Sequence, residues 1–179
     1  EDWLMTPEIL NRFALHYQTQ TPMPKALVMK IKNAATFNQG FETLEYLSSA
    51  IVDMQYHLSP QALIDPTIFE DQVLKELGMP KEMVMRHRSP QFAHIFGSDG
   101  YAAGYYSYLW ADTLSASTFE AFTEATGPYD KEVAARLQTY VLSVGNSVDP
   151  AEGFRAFRGK DPDSDALMRK RGFPLSGHV

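Results

Sequence analysis

The chain has 179 residues, 44% hydrophobic and 12% aromatic, with a formal net charge of −6 and a pI near 5.3. That length and composition supply one sizeable core and predict a single helical domain over residues 1–179. An acidic balance with no basic stripe argues against a nucleic-acid partner, and no apolar run reaches the roughly 20 residues that cross a bilayer. The lack of cysteine removes disulfides, thiol catalysis and cysteine-type zinc sites, and fits a cytoplasmic location.

In chain order, Thr6 before Pro7 and Glu8 is an N-cap signal, and Ile9, Leu10, Phe13 and Tyr17 recur at helical spacing behind it. Pro22 and Pro24 end that helix. A second is expected over 25–35, and a third over 39–57, where Leu44, Leu47, Ile51 and Met54 form an apolar stripe. Asp65 and Pro66 cap a fourth that runs to Gly78, a C-terminal glycine. Residues 79–90 read as a connector, and 91–96 is the one candidate strand. Further helices are expected at 101–114, 117–125, 130–143, 150–157 and 163–170. The expected class is therefore all-α, with at most a short strand near a glycine-rich loop.

That loop is the richest segment in chemistry. From His94 it reads His-Ile-Phe-Gly-Ser-Asp-Gly-Tyr-Ala-Ala-Gly-Tyr-Tyr-Ser-Tyr-Leu-Trp, with Gly97, Gly100 and Gly104 supplying backbone freedom. Tyr101, Tyr105 and Tyr108 stand at i, i+4 and i+7, so a helix there presents three phenols on one face. A phenol keeps its proton at neutral pH and can donate to an oxygen that gains negative charge in a tetrahedral transition state. The same spacing also fits a buried aromatic stripe whose hydroxyls are satisfied by carbonyls, and periodicity does not choose between the two. Tyr106, Leu109 and Trp110 fall on other faces and are expected in the core. Arg86-His87-Arg88, just upstream, offers cations for a substrate carboxylate, although solvated surface charge is the commoner state of such a run. His16 and His57 read as helix-end or core residues, and Asp112 as an exposed helix carboxylate.

The segment around His94 to Trp110, with its Phe92-Ala93-His94-Ile95-Phe96 lead-in, closely resembles the region downstream of the metal site in the M3 zinc peptidases, the thimet oligopeptidase family, and is nearest to its peptidyl-dipeptidase Dcp and oligopeptidase A branch. The resemblance runs along essentially the whole chain. It includes Phe13 to Tyr17, Asn33 to Phe41, Asp53-Met54-Gln55-Tyr56-His57, Leu142 to Ser147, Phe154 to Pro162 and Arg169 to Phe173, in the family's order. One departure is local: the Gly-Ser-Asp-Gly loop is slightly longer than in many members.

The resemblance implies a zinc-dependent peptidase acting on short peptides. It implies Tyr108 and His94 as catalytic residues, Tyr108 donating to the oxyanion, and Tyr101, Tyr105 and Gly100 as substrate contacts. These peptidases bind zinc through His-Glu-x-x-His and a later glutamate, and neither element is present here. Glu1-Asp2-Trp3 resembles the Glu-x-Trp that follows the third ligand, so Glu1 is not read as that ligand. The chain reads as the C-terminal portion of a larger enzyme, with the missing N-terminal portion as its partner. The zinc site is expected in that larger enzyme, and neither metal nor activity in the isolated chain. The alternative is a non-catalytic helical module that binds peptides.

Overall fold

Prolines and acidic caps set where four of the eight described helices start. In a computed structural model that describes residues 2–60 and 64–175, Pro7, Pro66 and Pro150 each open a helix at a position where the missing N–H costs nothing. Asp65, Asp130 and Asp149 each accept two backbone N–H groups of the turn that follows. The described residues hold eight α-helices: α1 Pro7–Phe13, α2 Lys25–Ala34, α3 Gln39–Leu58, α4 Pro66–Glu76, α5 Ser107–Thr123, α6 Lys131–Leu137, α7 Pro150–Arg158 and α8 Asp165–Arg171. A π-helical segment, Gln138–Leu142, continues directly from α6. Gly78 sits just past α4 at φ 67°, as the sequence predicts for its C-terminus. No strand forms among the described residues. The candidate at 91–96 is instead part of two 3₁₀ turns, Ser89–Gln91 and Ala93–Ile95, and one isolated bridge joins Leu15 to Pro22.

The chain packs as two compact units, residues 1–37 with 112–179 and residues 38–111. In the first, Ala121, Phe122, Val133 and Phe157 form the core, with Trp3 and Leu137 against it. Trp3 stands edge-on to Phe119 and Phe122, with centroids 4.9 and 5.2 Å away, and its indole N–H donates to the Pro128 carbonyl. Arg158, with its side chain only 8% exposed, reaches from α7 to α5: its guanidinium makes paired 2.7 Å bonds to Glu124 and a 3.1 Å bond to Ser117 Oγ. That fork holds the Glu124 carboxyl below its ordinary pKa. Asp112 pairs with Arg171 of α8 at 3.3 Å. Gly153 lets α7 lie close to the π segment, since a Cβ there would meet the Tyr140 carbonyl oxygen at 2.7 Å.

In the second unit α3 and α4 pack through Val52 and Val73, joined by Met85 of the connector. The predicted stripe on α3 is not the buried face. Leu44 is exposed and Leu47, Ile51 and Met54 are half-buried, whereas Ser48, Ser49, Ala50, Val52 and Asp53 are buried. The helix predicted over 101–114 begins only at Ser107 and runs unbroken through 117–123, merging two predicted helices into one. Tyr106 is 49% and Trp110 50% exposed, so neither is a core residue, while Leu109 is half-buried. Among the described residues no helix is long and apolar enough to cross a membrane.

Candidate functional site

The late start of α5 has a chemical cause on α3. Asp53 is completely buried, and its carboxylate accepts the backbone N–H groups of Ala103 at 3.1 Å and Tyr105 at 3.0 Å. A helix begun at Tyr101 would leave the Ala103 N–H without a carbonyl partner and would pair the Tyr105 N–H with the Tyr101 carbonyl; both go to Asp53 instead, and residues 101–106 form turns. Ala103 consequently takes φ 54°, a left-handed conformation that costs a non-glycine residue about 1–2 kcal/mol. None of the three loop glycines adopts it. His57, one turn further along α3, places Nδ1 3.0 Å from the same carboxylate and 2.8 Å from the Asp53 carbonyl oxygen.

The unwinding removes the shared helical face predicted for Tyr101, Tyr105 and Tyr108. Only Tyr108 lies on α5, in its first turn, with 69% of its surface exposed. The others are arranged by ring stacking. Tyr101 lies on His94 with centroids 4.3 Å apart, His94 is 5.7 Å from Phe92, Phe92 meets Tyr105 edge-on at 4.9 Å, and Tyr105 stacks on Tyr46 at 4.7 Å. The Tyr46 hydroxyl also donates to the Tyr105 carbonyl. Tyr105 is thus held through its N–H, its carbonyl and its ring. Burial raises the pKa of its phenol, and the nearby Arg86 guanidinium opposes that rise, so the group keeps its proton at neutral pH. Gly100 and His94 are both exposed on the loop.

A second buried carboxylate holds the approach to this row. Glu70 of α4 accepts the Arg88 Nε–H at 2.7 Å, the Ser89 N–H at 2.8 Å and the Ser89 hydroxyl at 2.9 Å. Arg86 pairs with Glu45 at 3.5 Å, while the His87 N–H donates to Ser49 Oγ and its ring stacks on Phe92 at 4.3 Å. The basic run is anchored at Glu45, Ser49 and Glu70, while the Arg86 and Arg88 side chains stay 47% and 52% exposed, the surface charge that the sequence suggests.

The structure keeps His94, Tyr101 and Tyr105 in one aromatic row and leaves Tyr108 open to solvent. Asp53, which the sequence marks only as part of a motif, and Tyr46 and Glu70 join the site through tertiary contacts. One sequence signal bears on the first: Ser49, Asp53 and His57 recur every four residues and share one face of α3. Among the described residues no group of three His, Cys, Asp or Glu side chains is placed to hold a metal ion. Glu1 and His178 lie outside the described residues.

Among the described residues the fold is of the all-helical class, and it carries an irregular, tyrosine-bearing loop tethered to a buried carboxylate. Its sequence narrows the class to one family. The family model described as peptidase family M3 matches residues 1–173, and the chain belongs to that family. It is 39% identical to the dipeptidyl carboxypeptidase of Escherichia coli over 98% of its own length and 26% of that protein's. It is 36% identical to Escherichia coli oligopeptidase A and 37% identical to the probable cytosolic oligopeptidase A of Arabidopsis thaliana, in each case over 96% of this chain and 25% of the relative. The chain thus spans about a quarter of the length of the curated relatives it matches.

Proposed function

We propose that this chain is the substrate-binding and transition-state-stabilising portion of a zinc-dependent oligopeptidase or peptidyl-dipeptidase that hydrolyses short peptides. The zinc ligands lie outside these 179 residues, and the isolated chain neither binds the metal nor turns over peptide. The names of the relatives, dipeptidyl carboxypeptidase and oligopeptidase A, support peptide hydrolysis, and a cytoplasmic location accords with the Arabidopsis protein's name. The observation that carries the reading is the contrast between Tyr108, open to solvent in the first turn of α5, and Tyr105, fixed on three sides just before it.

In this reading the Tyr108 hydroxyl donates a hydrogen bond to the carbonyl oxygen of the scissile peptide as it gains charge. Tyr105, Tyr101 and Gly100 contact the substrate, and His94, steadied by its stack on Tyr101, supports the same carbonyl region. A donor that is already oriented reorganises little when charge develops, which is why one such bond is worth about 10²–10³ in kcat. Tyr108→Phe in the full-length enzyme is expected to lower kcat by that factor, roughly 3–4 kcal/mol, with KM little changed. Tyr105→Phe is expected to weaken kcat and KM more modestly. Steady-state kinetics on a fluorogenic peptide make the test, and a normal kcat in a folded, zinc-replete Tyr108→Phe enzyme would remove Tyr108 from the chemistry.

A further inference from the structure

We infer that Asp53 is a positioning residue for the proposed reaction: its carboxylate clamps the glycine-rich loop by two backbone amides and so sets where Tyr105 and Tyr108 stand. The inference rests on the site reading above and adds a residue to it that touches no substrate.

Three observations converge on Asp53. Its side chain is fully buried at the middle of a helix, a place where an unpaired carboxylate is strongly disfavoured. The partners that compensate it are the Ala103 and Tyr105 N–H groups, 50 and 52 residues away in sequence, together with His57 Nδ1. Between those two amides the backbone is forced left-handed at an alanine, although glycines stand at 100 and 104. Local preference does not produce that conformation, so something external imposes it, and the carboxylate is the group in contact. A carboxylate suits the task because it only accepts, and its two oxygens serve two amides that point the same way: Oδ1 takes Ala103, Oδ2 takes Tyr105. Ser107 begins the helix two residues after the second tether and Tyr108 stands in its first turn, so a shift at Tyr105 carries the phenol of Tyr108 with it. Displacements of about 1 Å at such a donor cost on the order of 10²-fold in rate.

Asp53→Asn keeps size but turns one accepting oxygen into an NH₂ that faces an N–H, so one tether is lost. In the full-length enzyme this variant is expected to fold and keep its zinc content while kcat of the folded enzyme falls about 10- to 100-fold. Adding Ala103→Gly removes the penalty of the left-handed residue and is expected to recover about tenfold or more of the loss. A residue that only stabilised the fold would show neither the selective fall in kcat nor that rescue. Hydrogen exchange supplies a readout independent of activity: in the wild-type enzyme the Ala103 and Tyr105 amides should be protected well beyond Gly100, and Asp53→Asn should erase the difference. Wild-type amides no better protected than Gly100 overturn the clamp, even if Asp53→Asn fails to fold. A folded Asp53→Asn enzyme with normal kcat, or with lost activity that Ala103→Gly does not restore, overturns the positioning role. A silent Tyr108→Phe overturns the site reading instead, and the exchange comparison still decides whether Asp53 holds the loop.

Discussion

The two units solve different problems with buried charge. In the first, the buried ion is a cation, and Arg158 spends its planar fork on the side chains of Glu124 and Ser117, joining α7 to α5. In the second, the buried ions are anions, and Asp53 and Glu70 accept backbone amides at Ala103, Tyr105 and Ser89, where the chain is irregular. The difference follows from valence. Helices satisfy their own amides, so regular elements need only side-chain staples, whereas a turn leaves N–H groups without carbonyl partners, and a carboxylate has acceptors for them. In this chain the buried acids hold the backbone at two irregular segments, the tyrosine loop at Ala103 and Tyr105 and the connector at Ser89.

The sharpest way to break this comparison is to remove packing from the first unit. Phe157 is 1% exposed within the apolar core, and Phe157→Ala is expected to lower the unfolding free energy by about 3–5 kcal/mol in urea titrations, with kcat per folded enzyme unchanged. A fall in kcat of the folded fraction would show that the first unit also sets the site. Glu70→Ala probes the second unit. It strands the buried Ser89 N–H and hydroxyl and releases Arg88, so a loss of about 1–3 kcal/mol is expected, with faster amide exchange confined to residues 86–92. Loss spread evenly over both units would contradict a local role for the buried acid.

The smallest effect concerns an exposed cap in the first unit. The Thr126 hydroxyl and the Val133 N–H, with further backbone donors, hold Asp130 at a pKa of about 2, below the ordinary 3.8. Because the folded value is the depressed one, its contribution is complete above about pH 4 and is lost as pH falls through about 2. Melting midpoints of wild type and Asp130→Asn are expected to differ at pH 7 and to converge near pH 2. A gap that persists at pH 2 would assign the cap's effect to neutral hydrogen bonding instead.

Much of the architecture was legible from residue order alone. Proline at the first helical position, aspartate before it and glycine after the last turn are local chemistry, and α1, α4 and α7 begin where those signals stand. The family, too, was written in the order of motifs from Phe13 to Phe173, and the matching family model covers them. Local signals failed where a distant group outweighed them. The periodicity of Tyr101, Tyr105 and Tyr108 is a valid helical pattern, but two of its amides bond to a carboxylate 50 residues upstream, and no local rule reports that competitor. On α3 the apolar stripe leaves Leu44 exposed and Leu47, Ile51 and Met54 half-buried, while the face of Ser49 and Asp53 is buried because the connector and the loop bond to it.

By itself, then, the sequence determined the starts of α1, α4, α6 and α7 and the family, because these depend on groups within a few residues of one another or on the order of motifs. The tertiary structure alone decided which tyrosines align, that Ala103 and not a glycine carries the left-handed turn, and that Asp53 and Glu70 hold the loops. Those outcomes depend on a buried acceptor meeting amides far away in the chain, and such a meeting exists only once α3 and α4 have folded against the segments they bind.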